Sequence, residues 1–210
     1  MTGSRRLSLG IDPLDRELEG GLPPGSVVAY CAPPASGSEL LLYGLTAARE
    51  TLYLTTDRSE DAVADALATT TCATGDPEIR FVPGDAPLEN ARRMVRGAGE
   101  DVTVIVDAGD PLERTDRDRY QRFLNELSNH VRNTGSLAFL HCLRADVEPA
   151  LRSTTQHMAD VVFHLRQDRR GTEIETRLAV PKLRGGRALT ATIKLELRER
   201  VRVDTSRDIA

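Results

Sequence analysis

Residues 32–39 are the part of the chain whose residue types come nearest to a phosphate-binding loop. They follow a short apolar run that predicts a buried strand, and they precede Leu40-Leu41-Leu42, which predicts a helix. In the pattern G-x-x-x-x-G-K-[ST], backbone amides cradle phosphates, the lysine supplies positive charge and the hydroxyl binds Mg²⁺. Of the residues that define this pattern, only Gly37 is kept. The replacements are Ala32 for the first glycine, Ser38 for the lysine and Glu39 for the hydroxyl residue.

The same loop also fits a helix cap. Ser36-Gly37-Ser38-Glu39 matches the capping box S-x-x-E immediately before an apolar run. Ser36 would accept a hydrogen bond from the amide of Glu39, and the Glu39 carboxylate would accept one from the amide of Ser36. The negative charge of Glu39 also suits the positive end of a helix. This interpretation predicts that the chain's own carboxylate satisfies the helix terminus where a phosphate would otherwise bind.

The histidines and cysteines indicate no further centre. The four histidines have no metal-ligand spacing; they are His130, His141, His157 and His164. Of these, His141 and His164 end apolar strands and are interpreted as core or edge residues. The three cysteines contain no C-x-x-C pair, which disfavours a zinc knuckle or a disulfide framework; they are Cys31, Cys72 and Cys142. His141 and Cys142 are not a catalytic pair, because neighbours on a strand face opposite sides. Neither G-x-S-x-G nor H-E-x-x-H occurs, so ordinary hydrolase classes have no support.

Alternating strand and helix patterns predict the framework that positions these residues. Short apolar runs predict strands at residues 27–31, 52–54, 80–82, 102–106, 137–140 and 159–165. Helical spacing predicts helices at residues 36–50, 59–68, 87–96, 117–132 and 148–157. Residues 173–180 and 190–197 flank a glycine turn and predict an antiparallel hairpin. Strands that are apolar on both faces require helices on both sides of a mostly parallel sheet, so the predicted class is α/β with a C-terminal antiparallel hairpin.

Composition places these elements in one domain. The chain has 210 residues, of which 40% are hydrophobic, an ordinary globular composition. We expect one domain at residues 1–203 and a polar tail at 204–210. A net charge of −4 gives no general attraction to nucleic acid or anionic lipid. No run approaches the roughly 18 apolar residues of a membrane span, and residues 1–10 have no apolar signal core, so we expect a cytoplasmic location.

Further segments follow one another in an order typical of a known family. Near the start stand Gly10-Ile11-Asp12-Pro13-Leu14-Asp15 and Gly20-Gly21-Leu22-Pro23-Pro24-Gly25-Ser26, and Asp107 ends the most apolar strand. Later come Met158-Ala159-Asp160-Val161-Val162 and Val180-Pro181-Lys182-Leu183-Arg184-Gly185. Together they resemble the KaiC/RadA branch of the RecA-like P-loop ATPases, over roughly residues 7–197. Only two of the 28 basic residues are lysines, so we expect the chain to be a haloarchaeal paralogue of this family. The alternative is that codon bias alone explains the small number of lysines.

The resemblance assigns roles to residues outside the loop. It implies that Asp107 corresponds to the Walker B aspartate, which holds Mg²⁺ through water; the alternative is a strand-end acid or cap. It implies that Lys182 and Arg184 reach the phosphates bound by a neighbouring subunit; the alternative is a pair of solvated hairpin charges. Asp57 lies where the family places a catalytic glutamate.

The chain departs from the family pattern both in the loop and at the position of the catalytic glutamate. Ser38 supplies no positive charge to phosphates, and Glu39 would repel them. Asp57 is one methylene shorter than glutamate, and the next residue is Arg58 rather than a second acid. The sequence therefore predicts an altered nucleotide site.

These observations favour a KaiC-like pseudo-ATPase that acts as a regulatory or scaffolding module through protein contacts, with no catalysis and no cofactor expected. The alternative is a slowly hydrolysing ATPase of the same family that binds Mg-ATP in signalling or DNA repair. A DNA-binding accessory would use Arg144 and Arg152, but Asp146 and Glu148 lie in the same stretch without an aromatic stacking platform. We expect a protein partner or a homo-oligomer, and neither nucleic acid nor membrane.

Overall fold

One mixed sheet organises the chain in a computed structural model that describes residues 5–170, 173–197 and 201–203. Its nine described strands have the spatial order β3-β2-β4-β5-β1-β6-β7-β8-β9. The strands are β1 Val27–Ala32, β2 Thr51–Thr55, β3 Glu78–Phe81, β4 Thr103–Asp107, β5 Leu137–Leu143, β6 Val161–Arg170, β7 Glu173–Leu183, β8 Ile193–Leu197 and β9 Val201–Val203. Strands β1 to β6 pair in parallel and β7 to β9 pair antiparallel. The predicted α/β class, with a mostly parallel sheet and antiparallel C-terminal strands, is confirmed.

Helices cover the sheet on both faces, as strands that are apolar on both faces require. All residues of β1, β2 and β4 are buried. The helices are α1 Asp12–Glu17, α2 Glu39–Leu45, α3 Glu60–Thr69, α4 Pro87–Arg96, α5 Asp110–Glu113, α6 Arg117–Thr134 and α7 Arg152–Met158. One core lies between the sheet and α1 to α3, and the other lies between the sheet and α4 to α6. No helix among the described residues is long and apolar enough to cross a bilayer.

The predicted elements agree with the structure except at several boundaries. The hairpin is confirmed, because Leu178 pairs with Ile193 in antiparallel β7 and β8. Helix α2 is much shorter than the predicted range 36–50, and it ends where the Thr46 hydroxyl bonds the Tyr43 carbonyl. The predicted tail at residues 204–210 lies outside the described residues, and the single domain at 1–203 stays a prediction.

A buried carboxylate joins β1 and β6 at the edge where both strands begin. Asp160, which precedes β6, accepts from the Val27 amide at 3.1 Å. Arg132 and Arg184 also donate to Asp160, at 3.3 and 3.2 Å. Asp160 is 6% exposed, so the Val27 amide depends on this carboxylate for a partner.

We expect Asp160→Ala to lower the free energy of unfolding by about 1–3 kcal/mol, because it leaves the Val27 amide buried without an acceptor. Urea unfolding followed by circular dichroism measures the change. Asp146→Ala, at an exposed loop position, is the matched control and should stay within about 0.5 kcal/mol of wild type. Equal effects of the two substitutions would contradict this role of Asp160.

Candidate functional site

Five side chains meet at the carboxyl ends of the central parallel strands. Asp107 ends β4, His141 lies near the end of β5, and Ser38 lies in the loop between β1 and α2. Tyr53 comes from β2, and Arg58 comes from the loop that follows it. We call Ser38, Tyr53, Arg58, Asp107 and His141 the Asp107 cluster. Its members converge because β2, β4, β5 and β1 are adjacent and parallel, so that their carboxyl ends share one edge.

Both oxygens of Asp107 accept hydrogen bonds from the protein. His141 Nδ1 lies 2.7 Å from Asp107 Oδ1. The Tyr53 hydroxyl donates to Oδ2 at 2.6 Å, and Arg58 donates to the same oxygen at 2.8 Å. Because an ionised carboxylate only accepts, Nδ1 of His141 carries the proton in this contact. The three donors compensate the carboxylate without any group from outside the chain.

The second ring nitrogen of His141 connects the carboxylate to the loop. His141 Nε2 lies 3.0 Å from Ser38 Oγ. In the neutral ring Nε2 accepts from the Ser38 hydroxyl, and in the protonated ring Nε2 donates to it. Tyr30 stacks on His141 with ring centroids 5.3 Å apart, and its hydroxyl donates to the Ser38 carbonyl at 3.3 Å. Ser38 is therefore held to β5 through its hydroxyl and to β1 through its carbonyl.

The charge of Asp107 is stabilised despite its burial. Burial acts to raise the pKa of Asp107, but hydrogen bonding and charge from His141, together with Tyr53 and Arg58, lower it to about 2. Burial and the neighbouring Asp107 charge raise the pKa of Tyr53, so its hydroxyl stays a donor. The cluster consequently holds an ionised acid surrounded by donors at neutral pH.

Ser38, His141 and Asp107 follow the hydrogen-bond order of a nucleophilic triad. A nucleophile must also reach its substrate, whereas Ser38 and His141 are each 1% exposed. In this conformation the hydrogen bonds from Asp107 through His141 to Ser38 position the loop and do not present a reactive hydroxyl.

The structure brings only part of the sequence-predicted site together. Ser38 and Asp107 are connected, through His141, which sequence reasoning had interpreted as a core or edge residue. Asp57 is exposed and lies outside the cluster. Partial removal of its carboxyl from water raises the pKa of Asp57, and the Asp107 charge raises it further. The next residue, Arg58, belongs to the Asp107 cluster instead. Arg58 had been noted only as a departure from the family pattern, and nothing in the sequence pattern singled out Tyr53.

The predicted capping box is wrong. Helix α2 begins at Glu39 with Ser38 as its N-cap residue, so Ser36 lies too far upstream to cap it. Ser36 Oγ is buried without a hydrogen-bond partner among the described residues. The Ser38 hydroxyl does not bond the helix amides either, because it faces His141.

The residues at this edge do not fit Mg-ATP. The side chain at the lysine position is a buried neutral hydroxyl that is already bonded to His141. The Asp107 carboxylate, which would face the magnesium, has Arg58 on Oδ2. Glu39 adds a negative charge at the start of α2. The loop backbone nevertheless keeps left-handed turns at Ala35 (φ 58°) and Gly37 (φ 68°).

The basic candidates have partners within the chain. Lys182 Nζ donates to the carbonyls of Gln156 and His157, at 3.0 and 2.7 Å. Arg184 donates to Asp160. The intersubunit role of Lys182 and Arg184 stays a prediction.

Arg152, one of the two arginines that a DNA-binding accessory would use, is 2% exposed. Its side chain is buried against Glu113, with Nε 2.8 Å from Oε2, and donates to the Leu143 carbonyl. Arg144 Nε lies 3.8 Å from a Glu148 carboxylate oxygen. Within the described residues, no group of three or more His, Cys, Asp or Glu side chains has the arrangement of a metal site.

Comparisons with known proteins agree with this architecture. Residues 6–210 match the "Family of unknown function (DUF7125)", so the chain belongs to that family. No curated protein matches the chain in sequence. A crystal structure of a KaiC-like protein from the hyperthermophilic archaeon Pyrococcus horikoshii OT3 is similar, with a TM-score of 0.76 and 15% identity. The match covers 96% of this chain and 99% of that one. The fold is therefore a KaiC-like RecA fold.

We expect Asp107→Asn to destabilise the protein by about 1.5–3 kcal/mol at pH 7, the range for hydrogen bonds to charged groups. The folded pKa of about 2 lies below the ordinary 3.8, so ionised Asp107 stabilises the fold above about pH 4, and this contribution is lost as the pH falls toward 2. The stability difference between wild type and Asp107→Asn should shrink over that interval by about 2 kcal/mol.

Urea titrations at a series of pH values measure this difference. Asp65→Asn, at an exposed position on α3, serves as control and should track wild type throughout. A constant difference between wild type and Asp107→Asn from pH 4 to pH 2 would show that the Asp107 charge does not stabilise the fold.

Proposed function

We propose that this domain is a KaiC-like pseudo-ATPase that acts as a regulatory or scaffolding module through protein contacts. The observation that carries the proposal is the Asp107 cluster. At the edge where a RecA-like ATPase would bind Mg-ATP, this chain joins its loop and its strand-end aspartate by internal hydrogen bonds.

The charge balance at the edge supports this proposal. In an ATP site, a lysine and a metal ion offset the negative phosphates. Here Arg58 supplies a positive charge directly to Asp107. Glu39 remains as a negative charge at the start of α2. A triphosphate arriving here would meet a carboxylate and no lysine, in a site whose basic group is already paired.

The burial of Ser38 supports it as well. Binding phosphate in the usual way would require a long cationic side chain at position 38 that crosses the loop. The Ser38 hydroxyl instead lies inside the protein, bonded to His141. Opening the site would break that bond and leave buried polar atoms unpaired, at a cost of about 1–3 kcal/mol for each group.

One observation favours the alternative, a slowly hydrolysing ATPase of the same family. Ala35 holds a left-handed conformation, which costs a non-glycine residue about 1–2 kcal/mol. The loop thus keeps a turn that its own sequence disfavours. Binding of Mg-ATP separates the two functions.

Millimolar Mg-ATP should leave the wild-type melting temperature unchanged, because the lysine charge is absent and Glu39 repels the γ-phosphate. A ligand at 100 times its Kd would stabilise the native state by about 2.7 kcal/mol, so thermal melting detects binding sensitively. The variant Ala32→Gly, Ala35→Gly, Ser38→Lys, Glu39→Thr should melt lower than wild type without ligand, since its new lysine is buried without a phosphate partner. Mg-ATP should raise its melting temperature.

The matched control is the triple variant Ala32→Gly, Ala35→Gly, Glu39→Thr, which keeps Ser38 and differs only by the lysine. It should show no shift with Mg-ATP. Saturable binding of ATP to wild type at micromolar concentration would overturn the pseudo-ATPase proposal and establish the alternative.

The partner in this proposal is a protein or a second copy of the chain. Lys182 and Arg184 come from the end of β7 and the turn after it, and Arg184 is about half exposed. Both side chains lie beside the C-terminus of α7, where the His157 carbonyl accepts from both.

Self-association through this hairpin predicts an oligomer without nucleotide. Lys182→Glu with Arg184→Glu should then shift sedimentation toward monomer. Arg187→Glu, at an exposed position nearby, is the control and should leave the oligomer intact, with circular dichroism confirming that both variants fold. A wild-type monomer at high concentration, in both low and high salt, would exclude self-association through these residues.

A further inference from the structure

Two cysteines lie side by side in the centre of the sheet, on the face opposite the Asp107 cluster. Cys31 on β1 pairs directly with Cys142 on β5 in the parallel register. Both side chains are fully buried in the core that α4 to α6 cover. They are 111 positions apart in the chain and form no disulfide. The sheet register alone makes them neighbours.

The surroundings distinguish the two sulfur atoms. Gln156 Nε2 donates to the Cys31 sulfur at 3.4 Å, and Cys142 lies beside Cys31 on the adjacent strand. His164 on β6 is the register partner of Cys31 on its other side. These neighbours lower the pKa of Cys31, the Cys142 contact most, whereas the pKa of Cys142 is raised. Cys31 therefore has the character of a thiolate, and Cys142 retains its proton.

A carboxylate lies next to the protonated partner. Glu113 Oε1 is 3.9 Å from Cys142 Sγ, within reach of its proton. Arg152 pairs with the same carboxylate, and the Thr155 hydroxyl also bonds it. Burial raises the pKa of Glu113 to about 7. An acid of that kind exchanges protons near neutral pH.

We propose that Cys31 and Cys142 form a hydroperoxide-reactive dithiol that closes to a reversible interstrand disulfide. The Cys31 thiolate attacks one oxygen of hydrogen peroxide and breaks the O–O bond, which gives a sulfenic acid and hydroxide. Cys142 passes its proton toward Glu113 and attacks the Cys31 sulfur. The S–S bond forms as the S–O bond breaks, and Glu113 returns the proton to the departing hydroxide, which leaves as water. In total, two thiols are oxidised to one disulfide, and one peroxide is reduced to two waters.

The geometry and burial fit this chemistry. Adjacent strands lie about 4.8 Å apart, inside the roughly 4.4–6.8 Å that Cα atoms span in disulfides. Because both sulfur atoms are fully buried, a small neutral oxidant suits the site better than a bulky disulfide reagent. Thiolate character is what directs oxidation to one cysteine among several.

The dithiol and the Asp107 cluster share two strands. Cys31 immediately precedes Ala32, where the loop begins, and Cys142 immediately follows His141. A bond between β1 and β5 at this point fixes the two strand ends that carry the His141–Ser38 contact. The proposal does not depend on whether the domain binds nucleotide.

The test counts reactive thiols in folded wild-type protein after exposure to hydrogen peroxide. The sample is quenched with catalase, unfolded in guanidinium with N-ethylmaleimide, and analysed by intact mass and peptide mapping. We expect only Cys72 to be alkylated, and the other two cysteines to be recovered as one Cys31–Cys142 cross-linked peptide. Dithiothreitol before alkylation should restore labelling of all three cysteines.

Variants assign the two roles. Cys142→Ser should accumulate a Cys31 sulfenic acid that dimedone traps. In Cys31→Ser, no dimedone adduct should form on Cys142. Cys72→Ser is the matched control and should still form the disulfide. Alkylation of all three cysteines after peroxide, or a disulfide that includes Cys72, would overturn the proposal, and both results are read from wild type even where a core variant fails to fold.

Discussion

The compensation of one buried negative charge organises the carboxyl edge of this sheet. A carboxylate removed from water is costly unless donors surround it. Asp107 receives its donors from Tyr53 and Arg58, on β2 and the loop after it, and from His141 on β5. Each donor also has a second contact or a stacked neighbour, so the charge fixes β2, β4 and β5 relative to one another. The loop before α2 is then attached to this assembly through Ser38.

The same constraint holds the loop between β1 and α2 in place. A neutral hydroxyl on the His141 ring takes the place that a lysine would need, and Tyr30 supports both the ring and the loop. The turn at Ala35 persists because contacts on either side of it hold the backbone. This internal support is the physical basis for proposing a domain that works through protein contacts, in a chain whose fold is KaiC-like.

Polar groups hold the opposite edge of the sheet in a comparable way. Asp160 joins the start of β1 to β6 and accepts from Arg184 of the hairpin, while Lys182 bonds the last carbonyls around α7. Between these two edges, the strands present different chemistry on each face. On β5, His141 belongs to the Asp107 cluster on one face of the sheet, and Cys142 lies in the core on the other face. A single pair of strands thereby connects the altered loop to the buried dithiol.

The sequence by itself determined eight of the nine described strands and two residues of the site. Strand and helix patterns depend on contacts made nearby, so β4, α4 and the β7–β8 hairpin were predicted, and Ser38 and Asp107 were singled out. Local pattern failed at the start of α2, where a capping box was expected and Ser38 turned to a distant histidine. His141 lies 34 positions from Asp107 and 103 from Ser38. Only the order and register of the parallel strands bring such residues together, and neither is encoded in the periodicity of any one segment.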